Sequence, residues 1–204
     1  GITTSSIENL SVNAVTTTSV DATLMSGLTG ITNNGSLAAL TVSGLTTIPA
    51  VSVIASSANT TVTMGAATTV GIADEMTVNL NGASTTSGST ITASGIEKFN
   101  VNATGTASGS ATTGTVTLVS TSLKDVAITG TAASALSVNL AGATTLAGGS
   151  VTGNDAANTV VLTADATDTI SVDLGAGNDV LSIGSVSATH TLAGGDGTDT
   201  LLST

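Results

Sequence analysis

One short phrase recurs along this chain: Leu10-Ser-Val12-Asn13-Ala14, Met76-Thr-Val78-Asn79-Leu80, Phe99-Asn-Val101-Asn102-Ala103, Leu136-Ser-Val138-Asn139-Leu140 and Ile170-Ser-Val172-Asp173-Leu174. Looser copies stand at Leu40-Thr-Val42-Ser43, Val51-Ser-Val53 and Val126-Ala-Ile128-Thr129. Apolar residues alternate with small polar ones, the period of a strand with one buried face. The clearer copies start at positions 10, 40, 76, 99, 126, 136 and 170. A spacing near ~25 residues suits one coil of a parallel β-solenoid with two or three short strands, and a step of about ten suits successive strands within a coil. In several copies an apolar residue three positions upstream, Ile7, Leu37, Ile96 or Leu123, is placed to turn the corner and anchor the strand.

Helix is disfavoured nearly everywhere, because Thr, Ser, Val and Gly lie below Ala in helix propensity and no 3.6-residue apolar stripe persists beyond one turn. The chain carries 42 Thr and 26 Ser in 204 residues, and 40% of it is hydrophobic, mostly Ala, Val, Leu and Ile. That is enough to bury a core. With one Phe and no Trp or Tyr, the core has to be thin and filled by small branched side chains. Ser/Thr/Gly/Ala stretches at 81–90 and 103–114 read as turns and secondary strands, since β-branched runs at 90–93 and 115–119 interrupt them. If Leu10, Val12 and their equivalents point inward, Asn13, Asn79, Asn102, Asn139 and Asp173 form one outward column. These residues either bond from coil to coil as an amide ladder or simply end a strand and open a turn.

The formal charge is −11, from 13 Asp and Glu against two Lys. Two cations cannot neutralise a run of phosphates, so neither nucleic acid nor an anionic lipid surface suits this chain. No stretch approaches the ~18 apolar residues of a membrane span. The absence of Cys fits either the cytosol or a secreted protein rigid without disulfides. The chain opens without Met and stops at Thr204 inside a motif, so it reads as a piece of a longer protein.

Seven of the acids, Asp155, Asp165, Asp168, Asp173, Asp179, Asp196 and Asp199, fall in the last fifty residues. There Gly194-Gly-Asp-Gly-Thr-Asp199-Thr-Leu201-Leu202 fills every fixed position of the nonapeptide G-G-x-G-x-D-x-U-x, and Leu174-Gly-Ala-Gly-Asn-Asp179-Val-Leu181-Ser182 fills all but the first. Ca²⁺ takes about six to eight oxygens, and Gly-rich turns present backbone carbonyls while Asp supplies charge. The candidate ligand positions are Gly175, Gly177, Asn178, Asp179, Gly195, Asp196, Gly197 and Asp199, with Asn154, Asp155 and Asp173 as weaker ones. Without an ion, Asp179 and Asp199 would face carbonyl dipoles and each other, so metal binding should couple to folding. Residues 1–150 thus read as a Thr/Ala/Val-rich solenoid and 151–204 as an acidic, Gly/Asp-rich segment continuous with it.

These nonapeptides resemble the calcium-binding repeats of RTX proteins, which form a parallel β-roll and leave the cell by the type I route. The resemblance covers about 174 to 204, with a fainter relative at Gly153-Asn154-Asp155. The two motifs are offset by 20 residues, where tandem nonapeptides set equivalent positions about 18 apart. Whether Asp179 and Asp199 serve one ion is therefore left open. Together with the Thr/Ala/Gly/Val-rich solenoid and the run Gly95-Ile-Glu-Lys-Phe-Asn-Val-Asn102, the chain resembles the surface-layer (S-layer) proteins of Gram-negative bacteria such as Caulobacter and Campylobacter. That resemblance implies a secreted protein tiling the cell surface as a two-dimensional crystal, with calcium driving homotypic lattice contacts. A cell-surface polysaccharide would be held by a part outside these residues.

Catalytic chemistry finds little support. His190 has no Cys or second His for a transition-metal site, and no Ser stands in a G-x-S-x-G context. Asp74-Glu75 is the only adjacent acidic pair and reads as a coil corner. Two rivals share the fold: a stalk or adhesin module of an RTX exoprotein, and an ice-binding solenoid. For the latter, Thr61-Val-Thr63 and Thr115-Val-Thr117 do not recur at a fixed interval, so no flat ladder can be written. The overall expectation is an all-β, right-handed parallel β-solenoid of roughly eight coils at about 4.8 Å each, grading into an RTX-like β-roll and serving as a non-enzymatic piece of a surface layer.

Overall fold

A computed structural model describes residues 3–56, 58–65, 68–71, 73–81, 89–104, 116–139, 147–163, 169–184 and 190–203. Asp165, Asp168, Thr115 and most of the Ser/Thr/Gly stretches at 81–90 and 103–114 lie outside the described residues. Every regular element among those described is a strand, and all strand pairs are parallel. A short pair, β1 (Thr4–Ser5) and β4 (Met25–Ser26), stands beside the first coils. One nine-stranded sheet is built from β2 (Asn9–Val12), β5 (Gly30–Asn34), β7 (Ala50–Ile54), β9 (Glu75–Asn81), β11 (Lys98–Ala103), β13 (Asp125–Gly130), β15 (Ala147–Thr152), β17 (Thr169–Asp173) and β19 (Thr191–Ala193). The other is built from β3 (Thr18–Asp21), β6 (Leu40–Leu45), β8 (Thr60–Met64), β10 (Thr90–Ala93), β12 (Val116–Val119), β14 (Ser134–Asn139), β16 (Asn158–Thr163), β18 (Val180–Ile183) and β20 (Thr200–Ser203). The chain alternates between the two sheets, so this is a parallel β-solenoid with a strand in each sheet per coil. Nine strands at about 4.8 Å spacing give a stack on the order of 40 Å.

Alternation in the sequence becomes columns in the core. Val51, Val78, Val101 and Ile128 stack in register on one sheet, and Ile91, Leu118, Val138, Leu162 and Ile183 on the other. All of these are buried, as is Phe99, the one aromatic. Burying each such side chain contributes roughly 1.5–3 kcal/mol. The recurring phrase serves both sheets: its copies at 40 and 136 lie in β6 and β14, the others in the first sheet. β15 crosses the compositional boundary at 150 and pairs with β13 and β17 on either side.

At the corners, buried serines stand in for missing ladder bonds. Ser120 Oγ accepts the Ile96 N–H at 3.1 Å and donates to the Ile96 carbonyl at 2.7 Å. Ser36 Oγ accepts the Ala14 N–H at 2.8 Å, and Ser56 Oγ donates to the Ser36 carbonyl at 3.2 Å. A short hydroxyl that both donates and accepts satisfies backbone groups of the next coil without widening the core. Ile96 and Leu123 are buried anchors as expected, but Ile7 and Leu37 are exposed. At the second of these corners the inward place is taken by Ser36, which turns the Leu37 side chain out.

The asparagine column is real over part of its length. Asn102 Nδ2 donates to Asn79 Oδ1 at 3.2 Å, and Asn79 Nδ2 to Ser52 Oγ at 3.2 Å, in successive coils. Asn13 bonds instead to the Gly35 carbonyl, Asp173 accepts the Gly175 N–H of its own turn, and Asn139 belongs to the other sheet. Asp74-Glu75 does sit at a corner: the Asp74 N–H bonds Glu97 Oε2 at 2.8 Å, and Glu75 pairs with Lys98 at 3.4 Å.

Candidate metal centre

The strand register stacks three turns on one another. Thr152 lies beside Asp173, Thr159 beside Val180, and Val180 beside Thr200, which aligns 153–158, 174–179 and 194–199. The 20-residue offset between the two motifs is therefore one full coil. Asp179 and Asp199 are neighbours in a single column.

Glycine is required in these turns for two reasons at once. Gly175, Gly177, Gly195 and Gly197 have φ of 90°, 125°, 102° and 136°, in the left-handed region that other residues avoid. A Cβ on Gly195 would also run into the Gly175 carbonyl, and one on Gly197 into the Gly177 carbonyl. The turns are pinned together by the Asp196 N–H to Gly175 O at 3.0 Å and the Gly177 N–H to Asp196 O at 2.8 Å. A Cβ on Gly194 would meet the Asp199 side chain, which would have to shift. Leu174 takes the corresponding place one coil earlier and is buried.

Asp179 is 1% exposed. Its Oδ1 accepts the Asn158 N–H at 2.7 Å, while its Oδ2 is buried without a partner among the described residues. Burial, and to a lesser degree the Asp199 charge, pushes the Asp179 carboxyl above the ordinary carboxylate range, against the opposing Asn158 hydrogen bonds. Asp199 is exposed, and its Oδ1 accepts the Asp179 N–H at 3.0 Å. Both carboxylates line a cleft of about 140 Å³ with Leu174, Leu181, Leu192 and Gly194. Asp199 keeps its solvent, whereas burial leaves Asp179 Oδ2 without the partner that a buried charge requires.

Not every candidate residue reaches this cleft. Asn178 is exposed and its Oδ1 accepts the Thr198 N–H at 3.0 Å, so it ties one turn to the next. Asp196 contributes backbone pairing with Ala176, its side chain being exposed. Asp155 and Asp173 are exposed on the outer side of the turns. Asn154 is buried, but its amide donates to the carbonyls of Thr129, Gly130 and Ala132 and its Oδ1 accepts the Ala156 N–H. No group of three or more His, Cys, Asp and Glu comes together among the described residues. A hard cation here would take its charge from Asp179 and Asp199 and its remaining oxygens from backbone carbonyls.

Asn158 escaped the sequence reading. It is 1% exposed and stands in the same column as Asp179 and Asp199. The signal was present: Gly153 to Asn158, Leu174 to Asp179 and Gly194 to Asp199 are the same five-residue step.

The fold and this centre together define a parallel β-solenoid with acidic, glycine-rich turns stacked at one side. No protein-family model matches the chain, and neither a curated protein nor a solved structure matches it.

Proposed function

We propose that this chain is a calcium-stabilised structural module of a bacterial surface layer, outside the cell, assembling through contacts with its own copies. One observation carries the calcium part: a fully buried carboxylate oxygen of Asp179 with no hydrogen-bond partner among the described residues, on a side chain that lines a cleft with a second carboxylate. An unpaired buried charge is among the costliest features a fold can hold, and a divalent ion removes that cost. The stacked coils supply the structural part: a rod of small outward side chains with few charges, able to pack closely side by side. Calcium would also bridge acidic surfaces that otherwise repel.

The test has two readouts. Millimolar Ca²⁺ added to chelator-treated protein raises the melting temperature, and electron microscopy of the same sample shows ordered sheets. A melting curve identical in EGTA and Ca²⁺ removes the metal. Isolated rods without a lattice favour the stalk of an exported RTX-type protein instead. The ice-binding rival has one point in its favour, a column of Thr41, Thr61 and Thr92, but the column ends at Val119 on the next coil.

A further inference from the structure

In the column that holds Asp179, the preceding coil carries Asn158, and its amide is fully used. Asn158 Nδ2 shares its hydrogens among the carbonyls of Asn154 at 3.3 Å, Ala156 at 2.7 Å and Leu174 at 3.2 Å. Its Oδ1 accepts the Ser134 hydroxyl at 2.8 Å. The amide therefore sits where three carbonyl oxygens from two successive turns converge, and it supplies the positive end of a dipole to all of them. From the same turn, Asn154 Nδ2 reaches back one coil and does the same for the carbonyls of Thr129, Gly130 and Ala132.

The turn at 174–179 is stacked directly on the Asn158 turn. Gly175 lies over Asn154 and Gly177 over Ala156. By the same register, the carbonyls of Gly175, Gly177 and Gly194 hold the places around Asp179 that those of Asn154, Ala156 and Leu174 hold around Asn158. Asp179 brings two acceptors and, when ionised, no donor. The donor that Asn158 provides in one coil is absent in the next, and Asp179 Oδ2 is left without a partner among the described residues.

We propose that Asn158 and Asn154 are amide plugs standing where a cation would otherwise be needed. The stack thus changes within one coil from a turn closed by the protein's own amides to a turn closed by a divalent cation. This rests on the calcium reading of Asp179 and deepens it. The Asn/Asp choice at 158, 179 and 199 sets which turns take metal and which fold without it. The described turns before 174 then keep their structure in chelator, and metal dependence is confined to the turns at 174–179 and 194–199.

Two reciprocal variants test this. Calcium equivalents are counted by titration calorimetry on the whole chain, and melting is followed in EGTA. Asn158→Asp gains about one equivalent of Ca²⁺ over the wild type and melts lower in EGTA, with recovery on adding Ca²⁺. Asp179→Asn loses an equivalent and melts higher than the wild type in EGTA, by about 2–4 °C or more, because its amide closes the turn as Asn158 does. If the wild type binds Ca²⁺ but Asn158→Asp binds no more and shows no calcium-dependent recovery, the plug assignment is wrong while the calcium reading stands. The same conclusion follows if Asp179→Asn melts lower in EGTA than the wild type. If the wild type binds no Ca²⁺ at all, the calcium reading itself falls.

Discussion

Asp179 has one oxygen held by the Asn158 N–H and the other by no group among the described residues, and its carboxyl is raised above its ordinary value by burial. A carboxyl raised in the folded state binds protons more tightly there than in the unfolded chain. In metal-free protein its contribution is therefore neutral to folding at low pH, and it destabilises progressively as pH rises from the ordinary 3.8 through the raised value. The melting temperature in EGTA is expected to fall over that window by more in the wild type than in Asp179→Asn, a comparison that cancels the remaining acids. Equal pH profiles for the two proteins would remove Asp179 as the strained group. The glycines make a second test. Gly195→Ala forces a side chain into a left-handed φ of 102° and against the Gly175 carbonyl. Strain of this kind costs on the order of 1–3 kcal/mol before any clash is relieved. Denaturant unfolding should show at least that loss, together with weaker calcium binding.

The strands were the most legible elements, because alternation of Val, Leu and Ile with Ser, Thr and Asn has only one structural meaning. Coil length was less so. Strands keep register while the turns between them vary, so stacked partners lie anywhere from 19 residues apart, as Leu45 and Met64, to 31 apart, as Asn59 and Thr90. For the same reason irregular spacing hid the Thr41–Thr61–Thr92 column, which the strand register nevertheless assembles. Corners were legible only where an apolar residue fills them; at 36 a serine that satisfies two backbone groups displaced the expected leucine. In the metal centre the glycines and the two aspartates could be read from the nonapeptide. Asn158 was harder to read, because Gly153-Asn-Asp-Ala-Ala-Asn158 keeps the five-residue step but lacks the other two glycines and the aspartate of the nonapeptide. Phe99 tests the core. It is fully buried between Met76 and Val126 on adjacent strands, and truncation to Ala should cost about 3–5 kcal/mol. A loss under about 1 kcal/mol in urea unfolding would mean that the core is not closed around this column.

Across the molecule, charge and stacking point the same way. Both lysines lie in the middle coils, whereas the acids gather toward the C-terminal turns, where no cation from the protein accompanies them. In the surface-layer proposal the stacked coils pack side by side and the acidic turns would make that packing responsive to divalent ions. The surface-layer proposal needs both properties in one rod. Its foundation is narrower: a cation held between Asp179 and Asp199. Diffraction from crystals grown in saturating calcium tests this most directly. The account predicts ion density in the cleft, coordinated by Asp179 Oδ2, by Asp199 and by carbonyls of the 174–179 and 194–199 turns; a cleft without an ion, with Asp179 Oδ2 still unpartnered, would contradict it.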